Sequence, residues 1–362
     1  MSLNPLPVNS SRLGGCTLTG AISVTSHIRD TVTVVHGPKG CSHHNASLLH
    51  AICLDDDRMV MPSLISTALG ESEIIFGGEE ALRSTIRHAA GRDVSAIFVL
   101  STCIVDTIGD DTCWICAEEY GVPVIPIPTA GFLGGSFQDG MNNALIALAG
   151  IAEPCPATGG INLIGEMNLE YEVRENSAEI SRLLSLLGLN VNLHFVHDTT
   201  FSQLSLLGAA RLNILRSPSL VPVGEVLKEQ FGTPYIPSFP HGLSGTLSFI
   251  RTVAGACGID GQEAVSGECV RQEEMIAGFS DLSNKPVSLD HTLPCVKEIP
   301  ATEELAAVLD RVEEIQAAGE LAARLRLPVS SDGNGISLPV GSAIGTAGTR
   351  RMLHRWRRAI HA

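Results

Sequence analysis

Residues 31–41 read TVTVVHGPKGC, and the reading of this stretch decides the fold. Every residue of Thr31–Val35 is β-branched, which stiffens χ1 and favours extended backbone. The run stops at His36-Gly37-Pro38, a strand meeting a turn. Two later segments repeat the pattern, Ala96–Leu100 (AIFVL) and Val122–Ile127 (VPVIPI). Helical stretches at Gly78–Ala90 and Thr112–Tyr120 lie among these strands, and strands separated by helices imply βαβ units and a parallel sheet. The expected class is α/β, with helices on both faces of parallel sheets.

Beyond a Pro-rich joint at Pro154-Cys155-Pro156 the alternation resumes. Strands are expected at Ile161–Ile164, Val191–Val196 and Leu212–Leu215, and helices at Ser177–Leu187 and Phe201–Ala210. Past Gly258 one long helix is clear, Thr302–Leu325, amid Gly- and Pro-bearing loops. The division read from this texture is 1–155, 156–257 and a reduced region at 258–362.

Composition fits that plan. Hydrophobic residues are 44%, charged 17% and aromatic 4% of 362, a profile of aliphatic cores rather than of a disordered chain. A net charge of −15 argues against a nucleic-acid partner, and the one basic cluster, Arg350, Arg351, Arg355, Arg357 and Arg358, reads as a solvated helix face. No apolar run reaches the roughly 20 residues of a membrane helix. The N-terminal MSLNPLPVNSSRLGG lacks the layout of a signal peptide, so a cytoplasmic chain is expected.

Ten cysteines in such a chain point to thiolate ligands and buried thiols rather than disulfides. Cys16 lies in LGGCTLTGA, Cys41 ends HGPKGC, and Cys103 lies in VLSTCIVDTIGDD. Each sits on a loop, Cys41 and Cys103 at the carboxyl ends of strands where α/β sheets place ligands. Glycine before Cys16 and Cys41 lets backbone approach a bulky inorganic group. Their spacing is that of neither a ferredoxin nor a zinc finger, so position alone leaves two readings open, cluster ligands or small buried hydrophobes. Cys113 and Cys116 form a CxxC inside a helical stretch without a second pair, which reads as two core cysteines facing the sheet. HGPKGC lacks the Gly-Lys-Ser/Thr ending of a phosphate loop, so ATP binding by this chain is not expected.

Taken in order, the Cys16 loop, HGPKGC (36–41), STCIVDTIGDD (101–111) and TAGFLGG (129–135) resemble the cluster loops of nitrogenase component 1 proteins. GESEIIFGGEEAL (70–82), INLIGEMNLE (161–170) and ARLNILRS (210–217) extend the resemblance over roughly residues 12–255. It implies Rossmann-like domains, a 4Fe–4S cluster held by Cys16, Cys41 and Cys103, and a transient complex with a homodimeric ATP-binding 4Fe–4S reductase. The chain departs from nitrogenase proper: Arg216-Ser217-Pro218 replaces the cofactor-anchoring cysteine, and Met141-Asn142 stands where two histidines occur.

A compact member without that cofactor looks most like the nickel-sirohydrochlorin a,c-diamide reductive cyclases of methanogens. That resemblance implies a homodimer, a nickel tetrapyrrole substrate and ATP bound only by the partner reductase. Ring reduction needs proton sources, for which His43, His44, Asp106 and Asp110 are the candidates. Lys39 and Arg216 suit substrate carboxylates, and Phe132, Leu133 and Phe137 suit an apolar macrocycle face. His197 and Asp198 follow a strand and read as loop residues. Two rivals stand beside this reading, a subunit of a dark-operative (proto)chlorophyllide reductase and a non-catalytic metallocluster assembly scaffold.

Overall fold

The structure, a computed structural model, describes residues 15–55, 61, 63–156, 158–170, 172–289, 303–330 and 335–361. The N-terminal stretch read for a leader and Cys295 lie outside them. In chain order the elements are α1 (Thr17–Thr25), β1 (Thr31–His36), α2 (Lys39–Asp55), β2 (Leu64–Ser66), α3 (Glu71–Phe76), α4 (Glu79–Ala90) and β3 (Ala96–Ser101). Then come α5 (Cys103–Ile108), α6 (Thr112–Cys116), β4 (Val124–Ile127), α7 (Phe137–Ala149), β5 (Ile161–Ile164), α8 (Val173–Ser185), β6 (Val191–Phe195) and β7 (Leu212–Leu215). The chain continues through α9 (Val221–Phe231), β8 (Tyr235–Ile236), α10 (Gly242–Ala256), α11 (Gln262–Ala277), β9 (Val287–Leu289), α12 (Glu303–Arg324), β10 (Ile336–Leu338) and α13 (Gly345–His361).

Two compact units form, one from residues 1–173, 192–210 and 222–233, the other from 174–191, 211–221 and 234–362. In the first, the strand order is β2-β1-β3-β4, and β1 pairs with β3 in parallel from Thr31↔Ala96 to His36↔Ser101. Both central strands are buried along their whole length, as strands covered on two faces must be. Val32, Val34, Ile97 and Val99 face α4 and α6 and pack on Leu82, Ile86 and Ile115. Thr33, one position over, points the other way and donates to Thr25 Oγ1 on α1 at 2.9 Å. All nine residues of α1 are buried, so it has no polar face for solvent. It packs on α7, with the α1 backbone at Thr17 and the α7 backbone at Phe137 brought close by glycines at 20 and 140.

The same unit holds β5 and β6 side by side. Asn168, just past β5, donates to Ser23 O and Val196 O, both at 2.9 Å, and fastens this strand end to α1. The second unit contains the parallel pair β7–β8 and a separate parallel pair β9–β10 joined through α12. Leu282, Leu289, Leu321, Leu338, Leu353 and Trp356 make its core. Arg182 is held there between two buried carboxylates, Glu179 at 2.7 Å and Glu268 at 2.8 Å. The region after Gly258 thus holds α11, α13 and a βαβ crossover whose helix, α12, is the one legible in the sequence.

Candidate metal centre

Three helix starts bring three thiols together in the first unit. Cys16 is the N-cap of α1, its carbonyl accepting from Thr19 and Gly20, and it forms an isolated antiparallel bridge with Ser136. Cys41 lies in the first turn of α2, its carbonyl accepting from Asn45 Nδ2 at 2.9 Å. Cys103 opens α5 directly after β3, with Thr107 Oγ1 donating to its carbonyl at 2.7 Å. The ends of β1 and β3 are tied by a hydrogen bond from Thr102 N to His36 O at 3.1 Å. The register of two buried strands therefore sets the separation of Cys41 and Cys103.

The Cys41 thiol is pushed above the usual cysteine range, first by burial and then by the Cys103 and Cys16 sulfurs. The Cys103 and Cys16 sulfurs therefore each lie within Coulombic reach of Cys41. Cys16 is 9% exposed, and the other two are half-buried. Gly131, in the turn 131–133, presses on this group: it has φ +53°, and a Cβ there would stand 2.8 Å from Cys103 N. Thr17 Oγ1 donates to Gly131 O at 2.6 Å and fixes the turn. Among the described residues no three His, Cys, Asp or Glu side chains close on a point as a single metal ion requires. Three cysteine thiols are the donor type that iron–sulfur clusters take, with the cysteines on different iron atoms.

Behind the thiols lies a buried hydrogen-bonded pair. His36 Nε2 meets Asp110 Oδ2 at 3.1 Å, with the two side chains 0% and 3% exposed. Asp110 also accepts from Gly78 N, and His36 Nδ1 faces Thr67 Oγ1 at 3.1 Å. Burial lowers the His36 pKa, against the opposing pull of Asp110 and Glu79, so the imidazole is neutral near pH 7. Asp110 is thus bound up in holding the loops of Cys41 and Cys103. His36, Thr67 and Gly78 went unsingled in the sequence; the strand-ending His-Gly-Pro was the one signal for the first.

The other candidates separate by exposure. Lys39, His43 and His44 are exposed on the first turns of α2, and Asp106 is exposed on α5. Asp106 lines an open cleft of about 610 Å³ with Asp110, Asp111, Cys113 and Asn143. Phe132 and Leu133 stand out at 77% and 68% exposure, whereas Phe137 is 6% exposed, within α7 where it packs on α1. His197 Nδ1–H donates to Asn168 Oδ1 at 2.7 Å, and the ring stacks on His27. Arg216, in the second unit, is buried, donates to Ser342 Oγ at 3.2 Å and lies over the Phe239 ring. No described helix is long and apolar enough to cross a membrane.

The family described as nitrogenase component 1 type oxidoreductase matches residues 16–288. Among curated proteins, the nitrogenase iron-molybdenum cofactor biosynthesis protein NifE of Clostridium pasteurianum is 30% identical over 267 residues, 72% of this chain and 57% of that protein. The nitrogenase molybdenum-iron protein alpha chain of Methanococcus maripaludis is 30% identical over 285 residues, 72% of this chain and 58% of its own. The chain thus matches little more than half the length of these relatives. A solved nitrogenase structure, Cp1 at pH 5, superposes with a TM-score of 0.68 at 22% identity, covering 96% of this chain and 88% of that one, and shares the parallel-sheet α/β fold.

Proposed function

We propose that this chain, which belongs to the nitrogenase component 1 type oxidoreductase family, holds a 4Fe–4S cluster on Cys16, Cys41 and Cys103. It works as the electron-accepting subunit of an ATP-dependent reductive cyclase acting on a nickel tetrapyrrole, Ni-sirohydrochlorin a,c-diamide. The observation that carries the reading is that three separate helix starts bring the Cys16 and Cys103 sulfurs within Coulombic reach of Cys41 at the carboxyl end of a parallel sheet. The chain acts as a homodimer. ATP stays on the separate reductase, in keeping with the absence of a phosphate loop here.

When bound, the cluster supplies one-electron transfer at low potential. The chain's own groups do the rest. The His36–Asp110 pair keeps two ligand loops in register. His43, His44 and Asp106 are exposed a few residues after two of the cysteines, where they are placed to hand protons to a bound substrate. Lys39 offers a cation to a substrate carboxylate, and Phe132 offers an apolar face for the macrocycle.

The NifE relative favours a second reading, a chain on which a metallocluster is built and handed on. Anaerobic reconstitution with iron and sulfide, followed by electron paramagnetic resonance with and without the nickel tetrapyrrole, separates the two. The cyclase reading expects a cluster signal that the tetrapyrrole perturbs. A cluster signal indifferent to it removes the tetrapyrrole and leaves the assembly reading.

A further inference from the structure

Two cysteines on one short helix carry a chemistry that the cluster does not use. α6 is capped by Asp111, whose carboxylate accepts the Trp114 amide at 2.9 Å. It ends in a tightened turn, the Ala117 amide being shared between Cys113 O and Trp114 O, each at 3.2 Å. The Glu118 amide likewise reaches Ile115 O at 3.1 Å. Such i→i+3 bonds draw the backbone toward three residues per turn, at which side chains three apart eclipse. Cys113 and Cys116 are three apart. In a regular helix such a pair has Cβ atoms about 5–6 Å apart, and a disulfide needs about 3.5–4.5 Å, so closing the bond requires this five-residue helix to open locally.

The two thiols, both free, sit in opposite surroundings. Cys113 is exposed and lines the 610 Å³ cleft with Asp106 and Asn143, open to a small molecule. Cys116 is 5% exposed and packs with Ile115, Ile86 and Val99. Burial first, and the Cys113 sulfur second, push its pKa up to about 12. The expectation that both face the sheet therefore fails for Cys113, which the start of the helix turns outward. An accessible thiol followed by a shielded one within a turn is the division of labour of an exchanging dithiol.

We propose that Cys113 and Cys116 form a redox-active dithiol that exchanges with small disulfides of the glutathione class, Cys113 attacking and Cys116 resolving. The Cys113 thiolate attacks one sulfur of the disulfide, whose S–S bond breaks, and the first thiol leaves with a proton. In the mixed disulfide Cys113 no longer carries charge, so the second influence holding up the Cys116 pKa is gone. Cys116 then loses its proton, bonds to the Cys113 sulfur and expels the second thiol. The dithiol gives up two electrons and two protons, and one disulfide becomes two thiols. The pair lies on the continuous segment α5–α6 that begins at Cys103.

The test uses the full chain purified without oxygen, incubated with oxidised glutathione, then alkylated and mapped by peptide mass. The expected wild-type peptide has neither thiol alkylated, carries no glutathione and is lighter by two hydrogens. Cys116→Ser, or Cys116→Ala should the first not fold, retains glutathione on Cys113, and Cys113→Ser forms neither product. A wild-type peptide whose two thiols stay alkylatable, or one that keeps a stable glutathione adduct on Cys113, overturns the proposal.

Discussion

Gly140→Ala sets two physical effects of opposite sign against each other. In a helix interior, alanine is favoured over glycine by about 0.5–1 kcal/mol, so propensity alone calls for a more stable protein. The packing says otherwise. A Cβ on Gly140 would stand 1.9 Å from Thr17 O and 2.5 Å from Thr17 C and Cα, all backbone of α1 that no rotamer change can move. Gly20 presents the mirror-image constraint toward Phe137 O at 1.8 Å. The two helices must separate, and forced repacking of this kind costs about 1–3 kcal/mol. The net expectation is a loss of about 1–2 kcal/mol, and at about 2–4 °C per kcal/mol for a unit of this size the melting temperature falls by about 2–8 °C. Because Cys16 caps α1, iron content falls with it. Gly267→Ala in α11 is the control: nothing lies within 4 Å of its Cβ, so a small gain is expected. Thermal unfolding of both variants decides the matter. A Gly140→Ala protein as stable as wild type, with its iron intact, would refute the close packing of α1 on α7.

Gly131→Ala forces a left-handed alanine, costing about 1–2 kcal/mol, against Cys103 N; it should lower iron per chain while far-UV circular dichroism is kept. Asp110→Ala removes the partner of His36 and of Gly78 N, and stranding buried polar groups costs about 1–3 kcal/mol; urea unfolding should show that loss. His241 in the second unit is buried, and its pKa is lowered to about 3 by burial and by Arg216. Its folded value lies below the unfolded one, so its stabilisation is complete above about pH 6.5 and is lost as pH falls toward 3, at up to about 1.4 kcal/mol per unit. Glu313, at 3.6 Å from His241, has a raised pKa and the opposite slope. His241→Phe should therefore flatten the fall in melting temperature between pH 7 and pH 5.5; an unchanged fall would count against the buried neutral histidine.

The parallel sheet was legible because its strands announce themselves. Thr31–Val35 and Ala96–Leu100 lengthen by one residue each, to His36 and Ser101, and Ile161–Ile164 and Leu212–Leu215 stand as read. What escaped notice has a physical reason. α1 is buried all round, so its sequence TLTGAISVT carries no polar stripe to mark it as a helix. β2, β8, β9 and β10 are two or three residues long, too short for any periodicity. The helix expected at Thr112–Tyr120 stops at Cys116 because i→i+3 bonds tighten and close its last turn. At the site, three cysteines could be singled out by the loops that carry them. Their meeting could not, since it depends on the register of β1 against β3 and on a turn at Gly131 far along the chain. His36 was half hidden: His-Gly-Pro marks the end of its strand but not its role, because its partner Asp110 comes from another loop.

Iron and acid-labile sulfide per chain, measured on anaerobically purified wild type and on Cys16→Ala, Cys41→Ala and Cys103→Ala, test the central claim most directly. The account predicts a cluster signal by electron paramagnetic resonance in the wild type and its loss or collapse in each single variant. Iron content unchanged in all three variants would contradict it, leaving the three thiols as side chains that merely pack together.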